Sequence, residues 1–96
     1  VAELLPGAAP AGNLRVRLRY FGAARAVTAI DFETVELTLG ASVGDALALS
    51  VARHGDGLAR VLLRCSYLLQ ETAVRSTAAA VVDGDVIDVL PPFAGG

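Results

Sequence analysis

Leu14, Val16, Leu18 and Tyr20 alternate with Arg15, Arg17 and Arg19 without a fault, and a period of two predicts a strand with one face in a core and the other in water. The next ten residues, FGAARAVTAI, carry no such alternation and predict a compact loop or a single helical turn. Alternation returns from Phe32 to Leu39, where Val35, Leu37 and Leu39 oppose Thr34, Glu36 and Thr38, and Gly40 closes the segment. Two strands so near in sequence predict a wide hairpin.

The period then lengthens. Val43, Ala46, Leu47, Ser50, Val51 and His54 recur at spacings of three and four, the signature of a helix with one apolar face. Ser42 is suited to its N-cap, Asp45 to its first turn and Gly55 to its C-terminal cap. Leu58 to Arg64 predicts a second short helix presenting Leu58, Val61 and Leu62. Tyr67 to Leu69 and Ala73 to Val74 read as short extended pieces around the turn Gln70-Glu71-Thr72, and Asp83-Gly84-Asp85 as a tight turn. Val86 to Leu90 is a last strand, stopped by Pro91-Pro92.

A hairpin, a helix and a closing strand bury one sheet face under the helix, with the last strand parallel to the first through a right-handed crossover. The expected fold class is α+β in the β-grasp, or ubiquitin-like, arrangement: a mixed sheet on one main helix. Residues 1–13 hold two prolines and two glycines with no periodic face and are expected to form a flexible extension. Residues 14–90 form the expected domain, and residues 91–96 a flexible tail ending in Gly-Gly.

Composition removes whole classes of chemistry. Of 96 residues, 54% are hydrophobic and 19% charged, enough apolar mass for a core and too little charge for a disordered chain. A net charge of −2 argues against binding nucleic acid or an anionic membrane. Every basic residue is arginine, so there is neither a Walker A lysine nor a Schiff-base amine. Cys65 and His54 stand alone of their kinds, which fits a reducing, cytoplasmic setting and excludes a zinc site built from histidine and cysteine alone. No apolar run approaches the roughly 18 residues of a membrane span, and the first arginine comes too late for a signal peptide's basic region.

The remaining polar candidates have structural explanations. Arg15, Arg17 and Arg19 are expected to pair across strands with acids such as Glu36 and Asp88, His54 to compensate a helix C-terminus, and Cys65 to be a small buried side chain. No catalytic triad, metal cluster or dinucleotide loop can be assembled, so the chain is expected to be no enzyme on its own. The end of the sequence is different. A strand runs into Pro91-Pro92, then Phe93, Ala94, Gly95 and Gly96. Prolines stiffen the exit, and glycines without side chains fit a narrow channel, a design suited to delivering a terminal carboxyl group into another protein's active site.

With YFGAAR after the first strand, DGDVIDVLPP around the last and the closing PPFAGG, residues 14 to 96 resemble the MoaD/ThiS family of ubiquitin-like sulfur carriers, and within it the MoaD-like members. The resemblance implies a small subunit of molybdopterin synthase. An E1-like partner would use ATP to adenylate the Gly96 carboxyl, and a persulfide or sulfide would displace AMP to leave a thiocarboxylate. The large synthase subunit would then direct that sulfur onto a cyclic pyranopterin. Gly96 would bear the sulfur and Gly95 would be its slim neighbour. Phe21, Arg25 and Leu90 match positions that face partners from the exposed sheet side, and Pro92 and Phe93 belong to the gripped tail. No cofactor is implied for the chain itself. A carrier for thiamine or cysteine synthesis and a ubiquitin-like modifier are the alternatives. Gln70-Glu71-Thr72 departs from the usual Asn-Gly of the middle hairpin.

Overall fold

Alternation becomes a strand at β1 (Leu14–Tyr20), with its four apolar side chains buried and Arg15 and Arg17 exposed. The computed structural model describes residues 13–92. The extension expected over residues 1–13, apart from Asn13, lies outside the described residues, and so do Phe93, Gly95 and Gly96. After β1 come α1 (Gly22–Thr28), β2 (Phe32–Leu37), α2 (Val43–His54), α3 (Asp56–Leu62), β3 (Ser66–Leu69), β4 (Thr72–Ala73) and β5 (Val86–Leu90).

The sheet order is β2-β1-β5-β3-β4. β1 pairs antiparallel with β2 and parallel with β5, placing Arg19 beside Asp88 and Tyr20 beside Val89. This is the expected β-grasp arrangement, with helices on one sheet face. Val16, Leu18, Val35, Ile87 and Val89 from the sheet are fully buried with Val43 and Ala46 of α2 and Leu58 of α3. Each of the valine, leucine and isoleucine side chains contributes about 1.5–3 kcal/mol on burial.

α2 is held at its start by two devices. The Ser42 hydroxyl accepts from the Asp45 amide at 3.1 Å while the Asp45 carboxylate accepts from the Ser42 amide at 2.9 Å, a complete capping box. The long connection from β4 to β5 passes alongside, and the Val43 and Gly44 amides donate to Ala79 and Thr77 carbonyls at 2.9 and 2.8 Å. First-turn amides that have no partner within a helix are thereby satisfied.

Asp83-Gly84-Asp85 is the expected turn, and both acids serve backbone. The Asp83 carboxylate accepts from the Arg15 amide at 2.7 Å and the Asp85 carboxylate from the Val82 amide at 2.9 Å. Gln70 and Glu71 both take positive φ, 49° and 68°, so the middle hairpin closes through two left-handed residues without the family's glycine.

Several boundaries differ from expectation: the helix expected over Leu58 to Arg64 runs Asp56–Leu62, and the strand expected at Ala73 and Val74 is Thr72–Ala73, so that Thr72 belongs to the strand rather than the turn. The segment after β1 is a seven-residue helix rather than a loop or single turn. Only Ala24 and Thr28 of α1 are buried, too narrow a stripe to leave a readable period. β2 ends at Leu37, and Leu39, expected on its inner face, is 69% exposed. The chain turns there, with the Ala41 amide donating to the Thr38 carbonyl at 3.1 Å.

Candidate functional site: the rim where the last strand leaves the sheet

The parallel pairing of β1 with β5 brings the end of one strand beside the end of the other. Phe21 continues the outward series Arg15, Arg17, Arg19, and its amide donates to the Val89 carbonyl at 3.2 Å. On β5 the inward residues are Ile87 and Val89, so Asp88 and Leu90 face outward with it. Phe21 and half-buried Leu90 therefore share one rim of the open sheet face, and Pro91 and exposed Pro92 leave from it.

Arg19 ties this rim together. Its guanidinium makes two bonds to Asp88, at 2.5 and 2.8 Å, and lies 5.9 Å from the centroid of the Phe21 ring. The bond to Asp88 and its negative charge raise the Arg19 pKa further, so this charge is fixed. Arg17 stacks over the Phe32 ring at 4.6 Å, and Arg15 approaches Glu36 at 3.5 Å. The arginine stripe is thus paired and stacked, as expected of a solvated sheet face.

Arg25 stands on α1 rather than on a strand. Its Nε lies 2.6 Å from an Asp31 oxygen with both side chains largely exposed. With Gly22, Ala26, Ile30 and Phe32 it lines an open hollow next to the rim. Phe21, Leu90, Pro92 and Arg25 are therefore neighbours of the exit, while Gly95, Gly96 and Phe93 lie outside the described residues.

Sequence reasoning missed a polar cluster behind this rim. The Tyr20 ring is 1% exposed, and its hydroxyl bonds both Glu33 of β2 and Ser50 of α2. Glu33 also accepts from Arg53 at 2.9 Å and meets His54 Nε2 at 2.7 Å. His54 lies in the last turn of α2 as expected, but its ring is committed to Glu33 rather than to the helix end. Glu33 sits on the inward phase of β2 with Val35 and Leu37, opposite buried Leu18, and no local pattern reveals which residues of α2 meet its carboxylate there.

Burial alone pushes the Glu33 carboxyl upward, but bonds from Tyr20, Arg53 and His54, with the charge of His54, outweigh it and hold it below the ordinary value of 4.5. A depressed folded-state value means stability that is fully present above about pH 4.5 and lost as pH falls through the folded value. Urea unfolding is expected to show this decline on the acid side, and Glu33→Gln to weaken it. An unchanged acid profile in that variant would assign the dependence elsewhere.

Cys65 is half-buried, donates to the Val61 carbonyl at 3.3 Å, and has its thiol pushed up by burial, the opposite of an activated nucleophile. Burial likewise pushes the Tyr67 hydroxyl, bonded to the Leu62 carbonyl at 2.9 Å, up to about 12. Among the described residues no group of three or more His, Cys, Asp or Glu is placed to hold a metal, and no helix is long and apolar enough to cross a membrane.

The model of the ThiS family matches residues 18–96, from the middle of β1 through Gly96. The chain belongs to this family. It is 33% identical over 84 residues to the molybdopterin synthase sulfur carrier subunit of Chlamydomonas reinhardtii, covering 86% of this chain and all of that relative. Among solved structures, SAMP1 of Haloferax volcanii is 26% identical with a TM-score of 0.74 over 85% of this chain and 99% of that one. A complex of subunits 1 and 2 of the molybdopterin-converting factor of Helicobacter pylori matches at 25% identity and a TM-score of 0.59, over 86% and 100%. In this ThiS-family chain the last described residues, Pro91 and Pro92, leave the sheet at the rim formed by Phe21 and Leu90.

Proposed function

We propose that the protein is the sulfur carrier, or small, subunit of a molybdopterin synthase. The observation that carries this reading is the similarity to the whole of the Chlamydomonas sulfur carrier subunit over 86% of this chain, together with a family match that runs through Gly96. The complex formed by the Helicobacter relative favours a large subunit as partner.

In this reading an E1-like enzyme transfers AMP from ATP to the Gly96 carboxylate, and pyrophosphate leaves. The acyl-adenylate is a strong electrophile, and sulfide sulfur displaces AMP to leave the thiocarboxylate. The large subunit receives the tail and directs that sulfur to a cyclic pyranopterin. The chain supplies a nucleophile held against its target, which makes the step effectively unimolecular. ATP is used at the partner's site, the proton-transfer groups belong to the partner, and the setting is cytoplasmic. Phe21 and Leu90 form the docking rim, with Arg25 beside it. Phe93 is the aromatic anchor of the tail, Pro92 stiffens its exit, and Gly95 is the slim residue before the sulfur.

Intact-mass analysis of the protein made together with its activating enzyme tests this. The expected spectrum shows one C-terminal oxygen replaced by sulfur, and a uniformly unmodified end overturns the carrier reading. The likeness to SAMP1, a small archaeal modifier protein, favours a second reading in which Gly96 is joined to lysines of target proteins. A pull-down separates the two: a synthase large subunit supports the first, and lysine-linked conjugates support the second.

A further inference from the structure

Gly22 lies within the YFGAAR stretch but has no part in the docking rim or the proposed chemistry, and its surroundings are unusual. Its φ is +57°, and a Cβ built on it would stand 2.9 Å from Cβ and 3.0 Å from Cγ of Pro91. Real Cβ atoms do not approach so closely, so any side chain at 22 must displace the proline ring. Gly40, Gly55 and Gly84 also have positive φ, but nothing lies within 4 Å of their Cβ positions. Those three meet a backbone requirement only. Gly22 meets that requirement and also provides a seat.

The seat lies where direction is decided. β5 is fixed through Val89, whose carbonyl accepts from the Phe21 amide at 3.2 Å. One residue later Leu90 is half-buried on the rim, and Pro91 is half-buried against Gly22. Pro91 has a φ locked by its ring, so once the ring is seated the chain leaves along one bearing. Pro92 in turn disfavours the helical region for Pro91, so the direction of exit is set at the two prolines where the described chain ends. We infer that Gly22 is a positioning residue: by admitting the Pro91 ring against the start of α1, it aims the C-terminal tail at the partner's reaction centre. This rests on the proposed carrier function, and it deepens that function by naming the residue that sets the tail's direction.

Docking and aiming then separate. Phe21 and Leu90 offer the contact surface and govern how well a partner binds, whereas the Gly22–Pro91 seat governs how often the bound tail is in line. A misaimed tail lowers turnover more than binding, since small misplacements of a reacting group are costly in rate.

The test compares Gly22→Ala with Gly84→Ala. Both place a side chain on a positive φ, +57° and +88°, but only the first meets Pro91. The first readout is NMR: the wild-type chain is expected to show a nuclear Overhauser contact between the Gly22 α-protons and the Pro91 ring, and Gly22→Ala alone to shift the Gly95 and Gly96 amides. The second is steady-state adenylation of the chain by its E1-like enzyme, below the melting temperature of both variants. Gly22→Ala is expected to lower kcat by about tenfold to a hundredfold with KM nearly unchanged, and Gly84→Ala to behave as wild type. Absence of the Gly22–Pro91 contact, a wild-type kcat in Gly22→Ala, or an equal loss in Gly84→Ala overturns the inference. If the wild-type chain shows the contact and the tail shifts yet is never adenylated, the carrier function fails and the seat stands.

Discussion

Removal of Gly96 is expected to abolish sulfur loading and transfer while leaving the fold of the domain untouched. The only reacting atoms this chain brings to the proposed chemistry are those of its terminal carboxyl group. Shortening the tail by one residue draws that group back by roughly 3.5 Å, which exceeds the tolerance of a positioned reaction and costs at least about a hundredfold in rate. Among the described residues the last buried side chain along the sequence is Val89, so the core of the domain lies ahead of the tail. Intact mass after incubation with the activating enzyme reads the first effect, and thermal melting by circular dichroism reads the second. A shortened chain that still acquires sulfur at the wild-type rate would exclude the carboxyl of Gly96 as the carrier group. A shortened chain that melts early would show instead that the tail is part of the fold.

The largest effect on stability is expected at Tyr20, which separates packing from hydrogen bonding in one series. Its ring is 1% exposed, among the largest fully buried side chains, and its hydroxyl joins Glu33 of β2 to Ser50 of α2. Tyr20→Phe keeps the ring and leaves Glu33 and Ser50 each short of a partner, costing about 1–2 kcal/mol. Tyr20→Ala also opens a cavity under the sheet and is expected to cost about 3–5 kcal/mol. Against the roughly 5–15 kcal/mol that holds a typical domain together, the second loss is a large fraction. Urea denaturation measures both. Equal losses in the two variants would place the whole contribution in the hydroxyl, and no loss in Tyr20→Phe would mean that water replaces it fully. Because Tyr20 immediately precedes Phe21 and Gly22, the same variants ask whether the rim depends on the cluster behind it.

The elements that could be read from the sequence are those whose signal is local. β1 is legible because its apolar residues alternate without interruption, and α2 because Ser42 reads as an N-cap and Asp45 as a first-turn acid, which the structure joins into a capping box. The Asp83-Gly84-Asp85 turn is legible for the same reason, and Glu36 and Asp88 are legible as partners of Arg15 and Arg19 because the expected strand pairing sets opposite charges across from one another. α1 is not legible, since a helix burying only Ala24 and Thr28 has no stripe to detect. The end of β2 is misread because Leu39 keeps the alternation after the chain has already turned away.

The site divides along the same line. The tail and the exit at Leu90 to Pro92 are visible as sequence, because prolines, glycines and a strand end carry their meaning in their own backbone chemistry, whereas Phe21 and Arg25 stand out only through the family resemblance. What sequence by itself determined is therefore the class of fold, the open and buried faces of the sheet, and a candidate reactive group outside the core. Tertiary structure alone decided that His54 and Arg53 meet Glu33, 21 and 20 residues away, and that Gly22 receives Pro91 from the far end of the chain. Both are contacts between residues remote in sequence, brought together only when β5 lies parallel to β1 and α2 packs across β2. Local pattern fixes which way a side chain points, whereas the partner it finds there depends on the closure of the whole sheet.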